Sequence, residues 1–143
     1  MAKLDSLRVN ARAMREGEWI DLPEGFDGLR LLVRAQGRAY LDGRAKLMKE
    51  AAEPYGGKEE LIPEEVLDEV SARAAGQHLL IDVENLHGAH GPVTVEQYRD
   101  LMIEPDRLPL VTAVFIASGQ VGRKLDIDQK VAEGNSGTSS AGG

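Results

Sequence analysis

A chain of 143 residues has room for one domain, or for a small domain with tails. Its formal net charge of −7 disfavours nucleic acid and anionic membrane surfaces as partners, and with 42% apolar but only 4% aromatic residues a modest core must rest on Leu, Val, Ile, Ala and Met. Absence of cysteine excludes disulfides and thiolate metal sites, no run approaches the ~20 apolar residues that span a bilayer, and the leading stretch MAKLDSLRVNARAMREGEW lacks a signal-peptide block, so a soluble intracellular protein is expected.

Along residues 1–15, Leu4, Leu7, Ala11 and Met14 recur at helix-compatible spacing, but the stretch is short and reads as an N-terminal arm. Residues 18–22 and 28–35 read as two strands of a β-hairpin within residues 16–36, joined by the turn chemistry of Pro23 and Gly25. In the second strand Leu29, Leu31 and Val33 fall on one face, with Arg30, Leu32 and Arg34 on the other. A lone hairpin is marginal in water, so the apolar face must pack on something. From Arg38 to Ala52 the period becomes helical, and PYGGKEE breaks it. A second helix opens at Pro63, where Glu64 and Glu65 favour the helix dipole, and LLIDV, residues 79–83, is taken as its buried end for want of an adjoining partner strand. Thr94 and Gln97 form a capping box ahead of VEQYRDLM. The last helix is expected from Arg107 to Val131, with a broad apolar face and with Gly119 and Gly122 inside it marking either a bend or a close backbone approach. Residues 133–143, rich in Gly and Ser, read as a flexible tail. The expectation is an α+β, predominantly α-helical fold: one globular domain over residues 16–132, with an N-terminal hairpin and about four helices.

Charge is unevenly placed. Residues 30–49 hold six basic residues and one acid, and residues 50–69 hold eight acids and one base. This predicts oppositely charged faces on two antiparallel helices.

The chain has three histidines, and His87 and His90 share the loop ENLHGAHGPVT with Asp82 and Glu84 close by. A zincin needs H-E-x-x-H on one continuous helical face; here the spacing is H-x-x-H among Gly88, Gly91 and Pro92, which cannot be helical. A small metal-dependent enzyme on these two residues is the weaker reading, and a connector the stronger. The acids cluster where helix starts already account for them. No serine stands in a nucleophile elbow, and no P-loop or dinucleotide fingerprint occurs. No catalytic residue, cofactor or metal is therefore expected. Trp19 is the single tryptophan, a packing anchor on its strand that would be a strong partner contact if exposed.

Three stretches read in order, EGEWIDLP, GLRLLVRAQGRAYLD and LLIDVENLHGAHGPVTVEQYRDLMIEP, resemble the tail assembly chaperones of long-tailed bacteriophages and related prophages. The resemblance covers roughly residues 16–120 and rests on order and spacing rather than on one diagnostic motif. Val83 departs from it, standing where members often carry a tryptophan before the Glu. The resemblance implies a non-enzymatic factor of the host cytoplasm, absent from the mature virion, that binds the helical tape-measure protein and assists tail-tube polymerisation. Members often make a longer product by a −1 ribosomal frameshift; Glu133-Gly134-Asn135 can be encoded with a slippery heptamer, and such an extension would meet the tail-tube protein. A structural virion protein of the head–tail or tail-completion type is the alternative. Partner contact is expected on the last helix, at Leu110, Val114, Phe115 and Val121, together with Trp19, and self-association is admitted.

Overall fold

The computed structural model describes residues 1–123. The expected end of the last helix past Arg123, the frameshift position at 133–135 and the Gly/Ser tail lie outside the described residues.

The fold is α+β and predominantly helical, as the sequence implied. Strand β1 (Glu18–Asp21) pairs antiparallel with β2 (Arg30–Val33), Trp19 facing Leu32 and Ile20 facing Leu31. The alternation works as read: Leu29, Leu31 and Val33 are buried, while Arg30 and Leu32 are only partly covered. The short stretch expected to be a plain arm contains a helix, α1 (Ala11–Glu16), because Asn10 caps it by accepting from the Ala13 N–H at 3.1 Å and Gly17, at φ +104, releases it into β1.

One strand was missed. Residues Leu80–Glu84 are not the end of a helix but β3, the third strand, antiparallel to β2 in the order β1-β2-β3. Its partner lies some fifty residues upstream, beyond the reach of local pattern reading. The register shifts between Leu32 and Val33, so Ile81 is the extra residue of a bulge. That shift lets Leu80 and Val83, three apart, both pack with the core.

Helix α2 (Arg38–Ala52) has the expected bounds, and α3 (Glu64–His78) begins one residue after Pro63. Gly43, early in α2, lies against the His78 ring at the end of α3, so the two helices run antiparallel. The expected attraction between their charged faces does not appear as ion pairs among the described residues. Arg38–Asp42 and Glu69–Arg73 pair within a helix instead, and the helices meet by close packing at Gly43.

The capping box is formed: the Thr94 hydroxyl accepts from the Gln97 N–H at 3.1 Å and the Gln97 side chain accepts from the Thr94 N–H at 3.0 Å, opening α4 (Val95–Met102). Helix α5 (Leu108–Gln120) is shorter than expected, because Val121 is extended and Gly122 takes φ +82. Of the two glycines assigned to its interior, Gly119 faces open space. Gly122 is the close approach: its N–H donates to the Glu18 carboxylate at 2.9 Å and its carbonyl accepts from the Asn10 N–H at 2.8 Å.

Two expectations follow. A Cβ on Gly122 would stand 2.6 Å from Met14 Cγ and 3.0 Å from the Asn10 carbonyl, on a backbone that disfavours side chains. G122A should therefore lower stability by about 1–3 kcal/mol, read as a fall in the urea midpoint at unchanged slope. Tyr98 is fully buried, its hydroxyl donating to the Leu110 carbonyl at 2.8 Å, and burial pushes its phenol well above the ordinary 10.0. Below pH 10 both states hold this proton and its contribution is complete. Above it the unfolded chain ionises while the folded one does not, so stability falls as pH rises. Y98F should flatten that alkaline decline, at a cost of about 0.5–1.5 kcal/mol near neutrality from the lost hydrogen bond.

Candidate functional site

A concavity among the described residues is built by three segments. Helix α4 ends at Met102, Glu104 is extended, and Pro105 opens a 3-10 turn (Pro105–Arg107) that swings the chain into α5. The turn and the first two turns of α5 face the first half of α3, leaving a cleft of about 340 Å³. Its floor is apolar: Ala72, Met102 and Val111 are buried, Ile103 and Phe115 half-buried, and Leu108 is 62% exposed. Phe115 is fixed from behind by an edge-on contact with Tyr40, ring centres 6.2 Å apart. The rim is acidic, with Glu65, Asp68 and Glu69 from α3 and Glu104 from the turn. Glu69 pairs with Arg73 at 3.0 Å and Glu104 with Arg107 at 3.8 Å, whereas Glu65 and Asp68 carry no ion pair among the described residues.

A second cleft of about 190 Å³ adjoins the first, sharing Ala72 and Ile103 and continuing between α3 and α4 past Gly76 and Gln77, where Arg73, Arg99 and Asp100 replace the acidic rim. Together they follow α3 from Glu65 to Gln77, roughly 18 Å at 1.5 Å per residue. This is a groove rather than a hole. It has the dimensions and polarity to hold the apolar side of a short helix that carries basic flanks. Titratable groups that could move protons do not converge on its floor, which is made of hydrocarbon and one thioether.

The residues expected at a partner contact separate. Phe115 lines the groove. Val114 and Val121 are core residues, 0% and 2% exposed, and have no surface to offer a partner; α5 is inserted between the sheet and α3–α4, so the stripe carrying them faces inward. Leu110 packs partly buried against the same core. Trp19 is half-buried, is not among the groove's lining residues, and has the Arg30 guanidinium 5.2 Å from its ring centre. Arg30 is held there by Asp21 and Glu84, at 2.6 Å each. Leu108 and Ile103 are additions of the structure, and the α3 acids, which the sequence explains as helix-start charges, take a place on the rim. Glu65, Asp68, Glu69 and Ala72 do fall on one helical face, and Leu108 follows a proline, but neither cue reveals that the two faces meet.

The histidine loop is a small hairpin, β4 (His87–Gly88) against β5 (Gly91–Pro92), with both histidines exposed. Glu84 is engaged by Arg30, and Asp82 accepts from the Val83 N–H at 2.8 Å. Among the described residues no three His, Asp or Glu side chains are placed to share a metal ion. Asn85, at φ +64, ties this region to the sheet by donating to the Gly28 carbonyl at 3.1 Å.

No known protein family, curated protein or solved structure matches this chain.

H87A/H90A should leave the urea midpoint within about 0.5 kcal/mol of the parent, as for surface changes away from packed contacts, and should not change the response of that midpoint to added zinc or to a chelator.

Proposed function

We propose that this chain is a non-enzymatic assembly chaperone that receives an amphipathic helix of a long helical client in the groove between α3 and α5. The client is the tape-measure protein of a long-tailed phage, and the chain acts in the host cytoplasm before the particle is complete. The observation that carries this reading is the union of an apolar floor with an acidic rim in the cleft between α3 and α5. A free helix with an apolar stripe is aggregation-prone, and a groove that covers the stripe while its rim meets Lys or Arg keeps it soluble. Burying one exposed leucine-sized side chain contributes about 1.5–3 kcal/mol, so two or three anchors supply roughly 3–9 kcal/mol before the ordering cost is deducted, and the complex is expected to be weaker than micromolar. An assembly factor has to let go, and a complex of that strength does so readily.

The stretches that carry the resemblance support the same reading. They form β1, β2 with the start of α2, and β3 through α4, and these elements pack against one another. They frame the groove rather than wall it: α3 and α5 lie between and after these stretches, and of the residues lining the larger cleft Met102, Ile103, Glu104 and Pro105 fall within them.

The test is co-expression with a helical fragment of a long-tailed phage's tape-measure protein, followed by co-purification and titration. The parent should keep the fragment soluble and bind it with an affinity that weakens as salt screens the rim. L108E should keep its fold, since Leu108 is 62% exposed, yet bind at least about tenfold more weakly. Equal binding by L108E, or abundant peptides of this chain in purified virions, would remove the proposal.

A further inference from the structure

The groove has a complement on the same chain. Residues 1–9 stand off the domain, with Leu4 85%, Leu7 71% and Val9 52% exposed. Among the described residues their hydrogen bonds are internal: Ser6 donates to the Lys3 carbonyl and the Leu7 N–H donates to the Leu4 carbonyl. Attachment to the domain begins only at Asn10, whose N–H donates to the Gly122 carbonyl. Four of the chain's large exposed apolar side chains, Met1 included, thus lie in nine residues. Leu4 and Leu7 sit three apart, on one face of a helical turn, and a 3-10 turn (Leu4–Ser6) already winds the backbone there. Lys3 and Arg8 flank them. An apolar, basic-flanked turn is what the acidic-rimmed groove accommodates.

We propose that the arm of one copy docks in the groove of a second copy, so that two chains exchange arms. This rests on the groove being a receptor for apolar helices. Reach decides between a second copy and the chain's own groove. The arm is anchored at Gly122; the groove floor begins at Phe115, but its acidic end at Leu108 lies fourteen residues back, about 21 Å at 1.5 Å per residue. Spanning that distance in extended form consumes about six residues at ~3.4 Å each. In its own chain the arm would spend Leu7 and Val9 on the crossing and deliver little beyond Leu4. Into a neighbour it delivers both leucines together, with Lys3 and Arg8 beside Glu65, Asp68 and Glu104 of the receiving groove. Each chain carries one arm and one groove, and reciprocal exchange closes the contact as a two-fold pair in which both grooves are filled. A client helix then competes with the arm for the same floor, and the pair parts when the client arrives.

Sedimentation velocity across the micromolar range tests this on the intact chain, on L4E/L7E and on L108E. The intact chain should dimerise, and each variant should weaken the dimer at least tenfold; all three positions are exposed, so folding is preserved. A mixture of L4E/L7E, which keeps its groove, with L108E, which keeps its arm, should recover a heterodimer. A monomeric intact chain overturns the proposal, as does a dimer indifferent to L4E/L7E. So does a monomer whose arm is shielded from protease only while Leu108 is present, which would place the arm in its own groove. A synthetic helical peptide with leucines at i, i+3 and i+7 and flanking lysines, titrated into L4E/L7E, separates the two readings. If the peptide binds while the intact chain stays monomeric, exchange fails and the receptor reading survives. If the chain dimerises through Leu108 and the peptide does not bind, the receptor reading for clients fails and exchange survives.

Discussion

Two neighbouring residues of α4, Tyr98 and Arg99, hold the arrangement on which everything else rests. The buried Tyr98 hydroxyl donates to the Leu110 carbonyl and so fixes the first turns of α5 against α4. Arg99 reaches the other way, its guanidinium donating to the Gly76 carbonyl at 2.7 Å and to the Leu80 carbonyl at 2.9 Å. The first acceptor is a late carbonyl of α3, of the kind a helix end leaves without an intrahelical partner, and the second is the first carbonyl of β3. A planar fork satisfies both at once, which a lysine could not do. One residue therefore pins one wall of the groove and its neighbour pins the other. An eight-residue helix, too short to be stable alone, sets their separation because its start is fixed by the Thr94–Gln97 capping box.

Much of this was legible in the sequence, and what was not shares one cause. Strands β1 and β2, helix α2 with its bounds, and the capping box of α4 are local: each is signalled by period, turn chemistry or a cap within a few residues. Strand β3 was lost because its pairing with β2 is non-local, and because LLIDV follows a helix without the Gly or Pro that would separate them; the helix is ended instead by Arg99, some twenty residues later in the chain. The length of α5 was overstated for a similar reason. An apolar period continues past Gln120 in the sequence, but Gly122 is held off the helix by Asn10 and Glu18, more than a hundred positions away. Of the candidate site, Phe115 was found. Val114 lies beside it on the same apolar helix, and nothing local distinguishes the stripe that faces the core from the one that faces the groove.

The acids of the rim call for weighing, because helix starts attract them for stability alone. Glu64 and Glu65 lie in the first turn of α3, where the dipole makes negative charge favourable, and they need no further reason. That effect fades beyond the first turn, yet Asp68 and Glu69 continue the acidic stripe. Glu69 is matched by Arg73, four residues on, in an exposed pair of small stabilising value. Asp68 has no ion pair among the described residues, and it lies on the edge of an apolar floor where unpaired charge adds nothing to packing. Asp68 is exposed and hydrated, so its charge is open to a basic group arriving from outside. Under the proposals made above, the arm at residues 1–9 and a basic-flanked client helix would both be drawn to the same side of the molecule by that charge. Competition between them follows from one groove and one sign of charge, with no conformational change in α3, α4 or α5 required.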